Sequence, residues 1–290
     1  MSTLAEDIVE VAGARTRVVQ GGPEREPILF LHGGAPGATL YCSGAHVWSP
    51  CLPLFANTRR VAALDLPGFG ETSAPQDGAS VDRAGRFALA LIDALRLAPC
   101  HVVGHDEGGL IALWAALEAP AKFRSVSVAA GAAAAPSGDS VASLALLNPP
   151  RPLWSRAAQA WALERLSYTP HHIASDFLDR CAACADAPPH RAAIAGAGKS
   201  VLASIPAAKA RLYAHCRARA FPVPAQLVWA RHDPLTSVEQ GIALFKLIAE
   251  RQPATQFHVV NRSGSFPFRE QPEAFHAVVS AFHDGLAAAR

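Results

Sequence analysis

A carboxylate at the tip of a glycine-flanked turn is the first chemistry legible in this chain. Gly104-His105-Asp106-Glu107-Gly108-Gly109 follows the run Cys100–Val103 and precedes the apolar stretch Leu110–Leu117. A strand, then G-x-x-x-G, then a helix is the pattern of a nucleophile elbow. The turn is so tight that side chains two residues either side of its tip would collide with neighbouring backbone, which is why glycine stands there. The tip residue is thrown upward at the carboxyl end of the sheet, and here it is Asp106. An aspartate so placed has two uses. It attacks an electrophilic carbon and forms an ester. Alternatively, with its pKa raised by burial or by a neighbouring carboxylate such as Glu107, it abstracts a proton next to a carbonyl. The first use also needs an activated water to release the ester, and a general base typically contributes roughly 10²–10⁴-fold to such a step.

Three further stretches could complete a site. His32-Gly33-Gly34-Ala35-Pro36-Gly37 is a glycine-rich loop after an apolar strand. It allows backbone N–H groups to face a developing oxyanion, and the expected donors are the N–H groups of Gly34 and Glu107. Trp229-Ala230-Arg231-His232-Asp233 places an acid, Asp233, after a later strand. The run from Asn261 to Phe275 carries Gly264-Ser265 near the end of the chain. Candidate substrate contacts are His32, beside the glycine loop, with Trp154, Tyr168 and Tyr213 from the middle of the chain. Asp65 to Ser73 forms a glycine-containing turn whose expected role is structural. His32, His105, His232 and His258 are read mainly as packing or surface residues, any of which would have to serve if a histidine base were needed; His171 and His172 are expected on a solvated surface.

These residues need a scaffold. Residues 7–20 alternate around Gly13 as a β-hairpin does. Apolar runs at 27–31, 60–66, 100–106, 123–130, 224–230 and 255–260 fit strands covered on both faces. Helical patterns at 83–97, 110–117, 237–250 and 273–286 separate them, the last beginning just after Pro272. Alternation of this kind predicts an α/β fold, a mostly parallel sheet flanked by helices. Residues 132–219, rich in Ala and Pro, break the rhythm and are expected to form a helical insertion. The expected organisation is therefore a core of residues 1–131 and 220–290 with a helical cap at 132–219.

Bulk properties exclude several classes. The chain has 290 residues, 50% of them hydrophobic, so one large domain with an ordinary core is expected. Lys and Arg total 26 against 24 Asp and Glu, a balance that offers nothing to nucleic acid or lipid headgroups. The start lacks a basic region followed by an apolar run, and no long apolar stretch follows, so no secretory signal and no membrane span is expected. The expected location is the cytoplasm. Six cysteines in a chain this long do not read as a disulfide framework. Cys181 and Cys184 lack a second pair for zinc and read as two small apolar residues one turn apart. No metal and no cofactor is expected. The expected partner is a small organic molecule, and a homodimer is compatible with the composition.

The glycine loop, the G-H-D-E-G-G turn and the D-L-P-G-F-G turn, in this order, resemble the α/β-hydrolase superfamily over nearly the whole chain. His32-Gly33-Gly34-Ala35-Pro36-Gly37-Ala38 is most similar to the loop of the carbon–carbon bond hydrolases that act on meta-cleavage products. The Gly104-His105-Asp106 turn resembles instead that of epoxide hydrolases and haloalkane dehalogenases, which use an aspartate nucleophile. The resemblance implies that Asp233 is the acid of a catalytic triad. It also implies a histidine after the last strand, where this chain has Ser265. Dehalogenases follow the aspartate with a tryptophan that holds halide, and here Glu107 stands there. Epoxide hydrolases protonate the epoxide oxygen with cap tyrosines, for which Tyr168 and Tyr213 are the candidates. The resemblance thus implies an enzyme of small-molecule hydrolysis lacking its usual base. A lyase, isomerase or cyclase using Asp106 as base stays open, as does a silent ligand-binding protein.

Overall fold

The computed structural model describes residues 3–74, 79–136, 146–194 and 197–288. Parts of the expected insertion, residues 137–145 and 195–196, lie outside them. The chain opens with β1 (Leu4–Val11) and β2 (Ala14–Gly21), joined through Ala12 and Gly13, both at positive φ. Two consecutive positive φ values make the tight turn that suits the twist of a hairpin. Then follow β3 (Ile28–Leu31), β4 (Val61–Leu64), β5 (Cys100–His105), β6 (Phe123–Ala129), β7 (Ala225–Ala230) and β8 (Gln256–Val260). They form one sheet in the order β1-β2-β4-β3-β5-β6-β7-β8. β1 pairs antiparallel with β2, and β2 with β4; every later pairing is parallel.

β3, β4, β5 and β7 are buried at every position, because helices cover both faces of the sheet. Alternation divides the two cores. Leu29 and Leu31 of β3 join one, while Ile28 and Phe30 join the other. The first core contains α2 (Val81–Ala94) and α3 (Glu107–Glu118). α2 begins on the hydroxyl of Ser80, which accepts the Arg83 N–H, and buries Phe87, Ala88, Leu91 and Ile92. α3 is buried almost all round, lying against β5, β6 and α2. The second core packs Trp48, Phe55, Phe266, Phe268 and Phe275 under β3. The sequence pattern starts α3 at Leu110; it starts at Glu107, directly after the turn, because no linker separates strand from helix. α1 (Leu52–Ala56) was not legible in the pattern at all.

Between β6 and β7 lie α4 (Arg156–Leu166), α5 (Ser175–Asp186), α6 (Pro188–Ile194) and α7 (Ala197–Ala218), with no strand among the described residues. This segment is tied down by side chains. The Tyr213 hydroxyl donates to the Ala134 carbonyl at 2.8 Å, and the Trp154 indole N–H to the Thr39 carbonyl at 2.9 Å. Gln159, fully buried, accepts the Cys42 N–H and donates to the Trp154 and Cys181 carbonyls. Trp154 and Tyr213, candidate substrate contacts by sequence, therefore give their polar hydrogens to backbone carbonyls. His172 is not on a solvated surface either. Its Nε2 meets the Ser167 hydroxyl at 2.7 Å, and the buried guanidinium of Arg269 donates to its Nδ1 and carbonyl. The chain ends with α8 (Val238–Ala249), α9 (Pro267–Glu270) and α10 (Pro272–Ala288). Among the described residues no helix is long and apolar enough to cross a membrane.

Candidate active site

The turn between β5 and α3 places Asp106 at φ 45° and ψ −110°, a conformation that costs a non-glycine residue energy. Its neighbours explain how the turn is held. A Cβ on Gly104 would stand 2.4 Å from the Gly108 carbonyl oxygen, and one on Gly108 would stand 2.3 Å from that of Leu31. Both approaches are backbone on backbone, so no other residue fits without moving a strand. Asp106 Oδ1 accepts the Ala133 N–H at 2.8 Å, from the loop that follows β6.

Glu107 occupies the position where an oxyanion was expected. Its Oε2 accepts the backbone N–H of Gly34 at 2.6 Å, so this donor already serves a carboxylate. Gly34 sits at φ +108°, a backbone that only glycine adopts readily, which turns the N–H toward α3. The Glu107 side chain also hydrogen-bonds that of Asp106. Burial first, and the Glu107 charge second, push the Asp106 carboxyl well above the usual carboxylate range. Both effects favour the neutral form of the Asp106 carboxyl.

Asp233 and Ser265, at the positions where the resemblance puts a triad's acid and base, are hydrogen-bonded to each other. The Ser265 hydroxyl donates to Asp233 Oδ1 at 2.6 Å, and the Leu235 N–H donates to the same oxygen at 2.9 Å. Asp233 Oδ2 is buried with no hydrogen-bond partner among the described residues. Burial pushes this carboxyl up to about 6, although the Ser265 hydrogen bond opposes the shift. Asp233 does not cap α8, a role that falls to Ser237. Ser265 is more than filler, since its loop is clamped on three sides. Its N–H donates to the Leu166 carbonyl, its carbonyl accepts His105 Nε2, and Glu270 accepts the N–H of Gly264. Glu270 also accepts the N–H groups of Tyr168 and Thr169, joining this loop to the helical segment.

The histidines are otherwise engaged. His32 accepts the Leu66 N–H on Nε2 at 2.8 Å and donates from Nδ1 to the Gly33 carbonyl at 2.8 Å. A backbone N–H can only donate, so the tautomer is fixed, and His32 is a fully buried clip between two loops. It is not a substrate contact. His105 donates to the Ser265 carbonyl, and burial lowers its pKa to about 3. His232 lies under Tyr168 with ring centroids 4.5 Å apart, and His258 faces Gln256. Tyr168 itself is 45% exposed. Neither Tyr168 nor Tyr213 is the phenol nearest in charge to the carboxyl pair. That is Tyr41, which the sequence reading missed. It is 5% exposed, lies edge-on to Phe266, and its phenol is pushed well up by burial and by the charges of Glu107, Asp106 and Asp233 among others. Its place four residues after Gly37 was the one available signal. An apolar cavity of about 250 Å³ is lined by Gly34, Leu66, Phe69, Phe87, Ile111 and Val201 among others, and Glu107 is not in that lining. Nor is Asp106; Gly34 is the shared residue, facing the cavity and giving its N–H to Glu107. Among the described residues no three His, Cys, Asp or Glu side chains are grouped to hold a metal.

The model of the alpha/beta hydrolase family matches residues 28–278, from β3 into the last helix. The chain belongs to that family. Within it, the chain is 26% identical to a 2-hydroxymuconate semialdehyde hydrolase of Pseudomonas sp. (strain CF600), over 93% of this chain and 91% of that one. It is 23% identical to a 3-oxoadipate enol-lactonase of Acinetobacter baylyi, over 97% and 98%. A shorter match, 32% identical, joins 36% of this alpha/beta hydrolase to 28% of the mouse protein epoxide hydrolase 4. The crystal structure of a meta-cleavage product hydrolase from Pseudomonas fluorescens IP01 superposes with a TM-score of 0.79 at 21% identity, covering 97% and 98% of the two chains. The relatives are hydrolases by name, and the solved structure shares the fold.

Proposed function

We propose that this chain is an enzyme in which the Asp106–Glu107 carboxyl pair moves a proton on a small, partly apolar, oxygen-bearing molecule. The observation that carries this reading is the pairing of Asp106 with Glu107 at the turn, where burial and the adjacent charge favour the neutral form of the Asp106 carboxyl. A protonated carboxyl is a poor nucleophile and a good hydrogen-bond donor. Two carboxyls driven apart in pKa divide the roles of acid and base between them. Asp106 is the acid toward a substrate oxygen. Glu107 is the base, released when an oxygen of the substrate takes over the Gly34 N–H. Tyr41, a neutral phenol next to the pair, is a second donor. Ser265 cannot activate water as a histidine would, which favours a proton shift, elimination or ring closure over hydrolysis. The semialdehyde and enol-lactone in the relatives' names support a substrate that enolises. The apolar cavity beside Gly34 is the proposed seat of its hydrocarbon part, and residues 132–219 the proposed cap that keeps water out.

A second reading has an observation of its own. Tyr41 is a buried phenol that feels the charge of Asp106, and a phenol with an aspartate can open an epoxide, provided Asp106 ionises. One experiment separates the two. The protein is incubated with panels of enolisable aldehydes, lactones and epoxides, and both product and intact protein mass are followed. The proposal expects turnover without covalent adduct, lost by about 10²-fold or more in Asp106→Asn. A stable adduct on Asp106 overturns it in favour of the ester route.

A further inference from the structure

Away from the carboxyl pair, three thiols meet where α5 rests on the core. Cys181 and Cys184 lie on α5, Cys42 lies in the loop after β3, and all three are buried and free. The Cys184 sulfur donates to the Ser43 carbonyl at 3.2 Å and accepts the Gly70 N–H at 3.1 Å. Its partner Ser43 is the chain neighbour of Cys42, and the Cys184 thiol raises the pKa of the Cys42 thiol. Cys42 Sγ in turn lies 3.2 Å from His190 Nε2. His190 Nδ1 carries the ring proton, because its partner at 3.1 Å is the Ala185 carbonyl. Its Nε2 lone pair therefore faces the Cys42 thiol. A thiol, a base and a group that orients the base are the parts from which activated cysteines are made. A polar cavity of about 210 Å³, lined by Arg17, Asp65, Gly70, Arg180 and Cys184 among others, gives a small polar reagent access to Cys184.

We propose that Cys42 and Cys184 form a peroxide-sensitive modification site, in which oxidation by hydrogen peroxide joins the core loop to α5 through a disulfide. The Cys184 sulfur attacks one peroxide oxygen, the O–O bond breaks, and a sulfenic acid and one water result. The Cys42 thiol gives its proton to His190 Nε2, and its sulfur attacks the Cys184 sulfur. The S–O bond breaks, and the departing hydroxide takes that proton to leave as a second water. Two thiols are oxidised to one disulfide and one peroxide is reduced to two waters. The Cys184 thiol, then burial, hold the Cys42 thiol far above its usual range, so the second step depends on His190. Cys181 is left out, its sulfur facing His46 Nε2 at 3.5 Å. The bridge pins the helical segment to the sheet and leaves the carboxyl pair chemically untouched.

The full chain is treated with hydrogen peroxide, alkylated and digested without reductant. The expected result is one bridged species joining the peptides of Cys42 and Cys184, reversed by dithiothreitol, with the other four cysteines alkylated. In His190→Gln the bridge forms about 10-fold more slowly or worse, and a sulfenic acid on Cys184 accumulates that dimedone traps. Six unmodified thiols, a bridge between Cys181 and Cys184, or an unchanged rate in His190→Gln would overturn the proposal.

Discussion

Glu107 Oε2 and the Gly34 backbone N–H are 2.6 Å apart, so the amide best placed for an oxyanion is bonded to a carboxylate of the same chain. The same carboxylate raises Asp106. Glu107→Gln keeps an oxygen for Gly34 and removes the charge. The expected outcome is a fall in the acidic-group midpoint of the kcat/KM pH profile, because a like charge no longer opposes ionisation of Asp106. An unmoved midpoint would separate the two carboxyls electrostatically.

Ser265→His places a histidine at the residue whose hydroxyl now meets Asp233 at 2.6 Å. If the missing base were the sole defect of a hydrolase, ester or epoxide hydrolysis would rise by roughly 10²-fold or more. We expect a rise of less than about 10-fold, since Asp106 stays protonated in this variant. Initial rates on activated esters and epoxides decide it.

Asp233 makes stability depend on pH. Its folded pKa of about 6 exceeds its ordinary 3.8, so the folded state binds the extra proton between those values. The contribution is fully present below about pH 4 and is lost as pH rises through about 6, at most about 3 kcal/mol. Urea denaturation of wild type and Asp233→Asn across this range should show the wild type losing ground to the variant by up to that amount. A constant difference between the two curves would contradict the shift.

Gly108→Ala tests the turn. The added Cβ would meet the Leu31 and His32 carbonyl oxygens at 2.3 and 2.5 Å, and backbone on both sides must move. The expected cost is about 3 kcal/mol or more, or loss of soluble protein, measured by thermal unfolding. Gly285→Ala, whose Cβ would meet nothing within 4 Å, serves as the control and should be near neutral.

Much of this was legible before the structure. The fully buried strands showed as continuous apolar runs, because a strand covered on both faces has no polar side to display. Gly104 and Gly108 marked the turn, because only glycine fits so close to other backbone. The resemblance placed Asp233 and Ser265 after two adjacent parallel strands, β7 and β8, but their hydrogen bond to each other was not foreseen. Other features depend on contacts far apart in sequence. The engagement of Gly34 by Glu107 spans 73 positions, and nothing local announces which way the Glu107 side chain turns. Tyr41 lies in a loop without periodicity, so its approach to the carboxyl pair was invisible. Trp154 and Tyr213 were plausible pocket residues by type, but their polar atoms reach backbone carbonyls that only the folded segment supplies. Nothing local marks Glu270 or Arg269 either; in the fold Glu270 accepts the Gly264 N–H beside Ser265, and Arg269 donates to the Val47 carbonyl.

The central claim is that Asp106 carries a proton where an ordinary aspartate would be ionised. Infrared spectroscopy on protein with carbon-13-labelled aspartate reads this directly at about pH 8, well above the usual carboxylate range. The account predicts a protonated-carboxyl carbonyl band that is present in wild type and in Asp233→Asn and absent in Asp106→Asn. No such band in wild type, or one that disappears with Asp233→Asn alone, would contradict it.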